Sequence, residues 1–151
     1  MHVVEMTIYQ AAGGREGIEA LANAWHERCL ADDVVAHAFS HGFHPEHTQR
    51  LAAYWCEALG GPRDYSSGLG DESMVIRMHA GNGEHQEMDD RAIACFVEAL
   101  DDVGLSNDER LRSTLERYFR WSISTMSSFP NSPDDVPLGR AIARWSWDGP
   151  V

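Results

Sequence analysis

With 151 residues, 43% of them hydrophobic, the chain can bury one real core but is too short for two ordinary domains. Its 12 Lys and Arg against 24 Asp and Glu give a net charge of −12, which excludes the basic patch that a nucleic-acid or anionic-membrane partner would need. No run of about 18 apolar residues offers a membrane span, and Met1-His2-Val3-Val4-Glu5 lacks the basic start and apolar core of a signal segment, so a cytoplasmic protein is expected.

Along the chain, Gly13-Gly14 separates a short leading segment from a helix in which Ile18, Leu21, Ala22, Trp25 and Cys29 recur at spacings of three and four, an inward face. His26 borders that stripe. It either looks into a pocket between this helix and the next or lies on an exposed flank. Asp32-Asp33 starts a short helical piece from Val34 to Phe39, and a turn-rich connection follows. Beyond it His47, Leu51, Tyr54, Trp55, Ala58 and Leu59 keep the helical period, which places His47 on an apolar face. Pro45 suits the first turn of this helix, and Gly60-Gly61-Pro62 supplies a left-handed cap and a stop. His41, His44 and His47 form a His-x-x-His-x-x-His run that would hold Zn²⁺ or Ni²⁺ if the rings converged. A helix starting at Pro45 separates the first two from the third, and no carboxylate or thiolate completes a tetrahedral set.

The stretch from Arg63 to Asp71 is polar and glycine-rich, hence loop. Glu72 to His79 reads as a short helix with Met74, Val75 and Met78 on its apolar side, and Ala80-Gly81-Asn82-Gly83 ends it. A helix end leaves the His79 ring free to aim away from the helix, and a neutral imidazole nitrogen can ligate a metal when the other ring nitrogen donates to a backbone carbonyl. The next helix, Met88 to about Asp101, is apolar on most sides and so central in the bundle. Ser106-Asn107-Asp108-Glu109 reads as a capping box before a last long helix whose inner face is Leu111, Leu115, Tyr118, Phe119, Ser122, Ile123 and Met126. The stretch 131–137 cannot be helical. Trp145 and Trp147, one residue apart, point the same way in an extended strand, so the tail covers a groove on the bundle or on a partner subunit. Cys29, Cys56 and Cys95 are odd in number and helical, which reads as buried thiols in a reducing compartment.

Three segments in order, Tyr9-Gln10-Ala11-Ala12-Gly13-Gly14, Leu59-Gly60-Gly61-Pro62-Arg63-Asp64-Tyr65 and Arg77-Met78-His79-Ala80, resemble the truncated haemoglobins of the second group. The resemblance spans roughly Thr7 to Pro130. It implies an all-α, 2-over-2 globin-like sandwich around a haem b pocket, a globin domain over 1–130 and a C-terminal extension over 131–151. It makes His79 the iron ligand, sets Phe39 flat against the porphyrin, and puts Leu51 on the distal wall with His26 and His47. Arg50 and Arg77 would stand near the propionates, with Tyr65 adding a hydrogen bond, and Met78 and Ile93 would touch the cofactor. The family places a tyrosine where this chain has His26 and a tryptophan near Ile93, so polar control of a bound ligand would fall to His26 and His47.

The resemblance leaves two functions open: reversible binding of O₂, NO or CO, for transport or sensing, and a small oxidoreductase of the peroxidase or NO-detoxifying type fed by a reductase. A distal imidazole can donate to a bound ligand and can shuttle a proton, so it serves either. His26 and His47 are the catalytic candidates under the second, and His47 could also reach the iron itself. A cofactor-free helical bundle acting as a sensor or partner-binding domain is the reading outside haem chemistry. A homodimer would follow if the tail packed on a partner subunit.

Overall fold

The computed structural model describes residues 5–39, 42 and 45–151, so His41 and His44 lie outside the described residues. It is helical apart from one small hairpin near the C-terminus. A short α1 (Ile8–Ala11) is closed by a capping box in which Gln10 N donates to Thr7 Oγ1 and Thr7 N donates to the Gln10 side-chain oxygen. Gly13, at φ 95°, turns the chain into α2 (Gly14–Ala31). A 3₁₀ turn (Val35–Phe39) then leads towards α3 (His47–Ala58), α4 (Glu72–His79), α5 (Gln86–Asp102) and α6 (Glu109–Met126).

The layers are α2 with α3 and α5 with α6, joined because α2 packs on both α3 and α5. Each of these four helices contributes one ring to the centre of the core. Phe96 and Phe119 stack at 4.2 Å, Trp55 meets both edge-on, and Trp25 meets Trp55 and Phe119 edge-on. Outside this cluster, the exposed Arg28 on α2 grips Glu98 and Asp102 on α5.

Two of the segments read from the sequence meet in space. Tyr9 N donates to Leu59 O at 2.9 Å, and a Cβ on Gly61 would come within 2.7 Å of the Tyr9 ring. Gly60, at φ 100°, sits against Thr7. The opening Tyr-x-x-x-Gly-Gly and the later Gly-Gly-Pro are thus two sides of one close approach that tolerates no side chain.

Five expectations need correction. The third helix begins at His47, with Pro45 in the turn before it. Helix α5 is one-sided, burying Ala92, Cys95, Phe96, Ala99 and Leu100 while Ala94 and Glu98 face out, because only the side towards α2 and α6 is covered by other helices. The last helix is capped by Asp108, whose carboxylate accepts from Leu111 N at 3.1 Å, while Ser106 belongs to a preceding 3₁₀ turn over Leu105–Asn107. In the tail, a 3₁₀ turn forms at Pro133–Asp135, and the two tryptophans do not share a strand face. Strand β1 (Trp145–Ser146) pairs antiparallel with β2 (Gly149–Pro150), so the chain reverses at Trp147 and Asp148. Trp145 is buried edge-on against Tyr118 and Trp121, whereas Trp147 lies under Arg110 and donates its indole N–H to Met6 O at 2.7 Å.

Candidate functional site

Helix α2 delivers His26, the 3₁₀ turn delivers Phe39 and α3 delivers His47, and the three rings close on one another. Centroid separations are 4.8 Å for His26 and His47, 5.0 Å for His26 and Phe39, and 5.4 Å for Phe39 and His47. His26 is buried and His47 half-buried, so His26 does not lie on an exposed flank. Burial pushes the His26 pKa below the ordinary histidine value, with Glu27 opposing. Leu51, one turn after His47, is half-buried and packs on the main core.

His79 stands at the last position of α4. Its Nδ1 lies 2.8 Å from Val75 O, four residues back. A carbonyl oxygen only accepts, so Nδ1 carries the proton and the lone pair of the neutral ring is on Nε2. The residue is exposed to solvent, and desolvation by the protein around its ring pushes its pKa down. His85 adds to that lowering and Asp89 opposes it. His85 Nδ1 in turn pairs with Asp89 at 2.9 Å, and Ser127 Oγ donates to the other Asp89 oxygen at 2.9 Å. Neither His85 nor Asp89 was marked by sequence reasoning. Their i,i+4 spacing across the start of α5 was the available signal.

The other predicted residues fall in separate places. Tyr65 is buried edge-on against Tyr54, with Arg50 close enough to oppose the upward push of burial on its hydroxyl. The Nε of Arg50 is buried and has no hydrogen-bond partner among the described residues. Arg77 is exposed, 3.7 Å from Asp134. Met78, beside His79, is 68% exposed, and Met74 one turn earlier is 54% exposed. Ile93 is half-buried against the main core and lines an open cavity of about 460 Å³ with Asp90, Ala94, Val97, Glu98 and Arg120. Its neighbour Ala92 is buried, and the Ala92 carbonyl accepts from the Trp25 indole N–H at 3.0 Å. A buried carboxyl that the sequence did not single out, Glu72 at the start of α4, accepts from the Tyr54 hydroxyl at 2.5 Å. Among the described residues no three His, Cys, Asp or Glu side chains are grouped to hold a metal ion.

A 2-over-2 helical sandwich of this kind is the fold of a globin. The family described as bacterial-like globin matches residues 7–121, and the chain belongs to it. Among solved structures, the haemoglobin of the thermophilic phototrophic bacterium Chloroflexus aurantiacus is 27% identical, with a TM-score of 0.69 over 81% of this chain and 98% of that one. The group II truncated haemoglobin of Bacillus anthracis is 21% identical, with a TM-score of 0.74 over 86% and 97%. A thermostable haemoglobin of the actinobacterium Thermobifida fusca is 26% identical, with a TM-score of 0.67 over 89% and 100%. No curated protein matches the chain. The resemblance to truncated haemoglobins is therefore borne out, with the all-α 2-over-2 fold. Membership implies haem as the prosthetic group and diatomic gases as ligands. No helix among the described residues is long and apolar enough to cross a membrane.

Proposed function

We propose that the chain binds haem b through His79 and uses His26 and His47 as distal polar groups in redox chemistry on O₂, NO or peroxide. The observation that carries the haem reading is the His79 hydrogen bond. With Nδ1 donating to Val75 O, the imidazole is held in one tautomer and one orientation, with Nε2 presented as the donor atom. The donor set fits the group in three further respects. Met78 and Met74 give α4 an exposed apolar side that a porphyrin edge would cover, and Phe39 offers an aromatic face. The buried Arg50 Nε, beside Tyr65, is an unsatisfied cationic donor of the kind a propionate pairs with. Arg77 is the second candidate for that role, and Leu51 and Ile93 are proposed apolar contacts.

Bound there, haem iron supplies a site for a diatomic ligand and one-electron redox chemistry. The chain's own contribution is the imidazole pair. A neutral ring donates a hydrogen bond to a bound ligand, and a ring that titrates near neutrality can hand over or take up a proton. Two imidazoles in contact, that of His26 with its pKa lowered, form a donor and acceptor set that a purely apolar distal wall would lack. This favours an oxidoreductase of the peroxidase or NO-detoxifying type, fed by a reductase in the cytoplasm, over reversible oxygen transport or sensing.

The test is an absorption spectrum of haem-supplied protein, oxidised, reduced and with CO, beside His79→Ala. A Soret band that shifts with CO and is lost in the variant supports haem held by His79. A colourless protein, or a band indifferent to His79, would overturn the reading. Loss of peroxide or NO turnover in His47→Ala with haem retained separates the oxidoreductase from reversible binding, which would keep its turnover at the level of free haem.

A further inference from the structure

We propose that the segment 129–143 is a strap that sets the position of His79 by holding α4 along its length, with Ser73 and Glu72 as positioning residues at the far end. The proposal rests on the reading of His79 as the iron ligand. Helix α4 has eight residues, too few to hold itself, so its place is decided by what it packs on. Its inner side, Val75, Ile76 and Ala80, lies on the core. Much of its remaining polar surface is engaged by the strap.

The contacts run antiparallel from one end to the other. Just past His79, Gly81 N donates to Phe129 O at 2.9 Å and Gly83 N to Pro130 O at 2.8 Å. Pro133 packs so closely on Gly81 that a Cβ there would stand 2.9 Å from its ring. In the middle, Arg77 faces Asp134. At the start of the helix, the buried Ser73 hydroxyl donates to Pro137 O at 2.6 Å and accepts from Arg140 N at 2.8 Å. Glu72 N, one of the donors that a helix start leaves over, reaches Arg140 O at 3.2 Å. The Glu72 carboxylate takes the Tyr54 hydroxyl on one oxygen and Ala143 N, at 3.4 Å, on the other. Glu72 thus joins α3, α4 and the strap at one carboxylate.

The strap is itself fixed to the body, since Val136, Ile142 and Trp145 are buried. Because the His79 ring is tied to Val75 O within α4, any displacement of the helix is passed to the ring. The family match ends at residue 121, before the strap begins.

The experiment uses full-length, haem-loaded ferrous protein and reads the iron–histidine stretching band by resonance Raman, together with the CO dissociation rate. Ser73→Ala and Glu72→Gln are compared with Thr114→Ala, which removes a buried hydroxyl bonded to Arg110 O on α6, away from the strap. The expected result is a shifted or broadened band and a CO dissociation rate changed about twofold or more in both α4 variants, with Thr114→Ala like the parent at a comparable loss of thermal stability. An unchanged band and rate in Ser73→Ala overturns the strap. Glu72→Gln, which keeps the shape of the side chain, decides in the same way should Ser73→Ala lose its fold. An iron–histidine band that survives His79→Ala would instead overturn the underlying assignment of the ligand.

Discussion

The imidazoles of His26 and His47 lie 4.8 Å apart, centroid to centroid, with their planes tilted by 52°. One comes from α2 and one from α3, and Phe39 closes the third side. Two cations at that separation would repel, and His26 is already held below its ordinary pKa by burial.

That shift fixes the sign of an effect on stability. Below the unfolded value of about 6.5 the unfolded chain binds a proton at His26 that the folded chain resists. The stabilisation is therefore complete above that pH and is lost as the pH falls through the lowered folded value. His79, shifted the same way, adds to the slope. The urea midpoint of the haem-free chain is expected to drop as the pH is lowered through this window, and His26→Gln should flatten the dependence. A variant as steep as the parent would show that His26 titrates normally.

Much of this arrangement was legible in the sequence because it depends on local rules. The bounds of α4 follow from the Asp71 cap, whose carboxylate accepts from Met74 N, and from the glycines after His79. His26 was ambiguous because a residue at the border of a stripe is decided by the neighbouring helix, here α3, and no local period reports that. The Glu72 junction was illegible for the same reason. A glutamate at the first turn of a helix is ordinarily a solvated dipole partner, and only the arrival of residues 137–143 buries it. The Trp145 and Trp147 geometry was missed because Gly149, at φ 123°, permits a hairpin where alternation alone suggested a straight strand.

Tyr54→Phe tests that junction directly. The hydroxyl donates to a carboxylate that is 4% exposed and whose pKa burial already pushes up. Removing the donor leaves one carboxylate oxygen without its bond at nearly constant volume, a cost of about 1–3 kcal/mol. The loss should be larger at alkaline pH, where Glu72 must ionise, than at acid pH. Urea denaturation at both would check it, and a loss independent of pH would point to packing alone.

Gly61→Ala tests the contact between the two glycine-bearing segments. The added Cβ would stand 2.7 Å from Cys56 O and 2.7 Å from the Tyr9 ring, and one of the two neighbours is backbone. Overpacking of this kind costs about 1–3 kcal/mol. Pairing the substitution with Tyr9→Ala should recover part of the loss by clearing the ring but not the carbonyl. A double variant no better than the sum of the singles would place the whole strain on Cys56 O.

The three thiols give the last test. The free thiols of Cys29 and Cys95 share a hydrogen bond between α2 and α5, and Cys56 lies buried on α3. Burial raises all three, that of Cys56 to about 11. At pH 8 a thiol at that value is ionised to roughly one part in a thousand, against about one in four for an ordinary cysteine. Native protein should therefore react with a thiol reagent only as fast as it opens, and three equivalents should be consumed once urea unfolds it. Because Cys29 follows His26 by one helical turn, faster labelling of Cys29 in a His26→Ala variant would show that the α2 end of the imidazole pair loosens with it. A rapid equivalent in the native parent would instead show that one of these thiols is open to solvent.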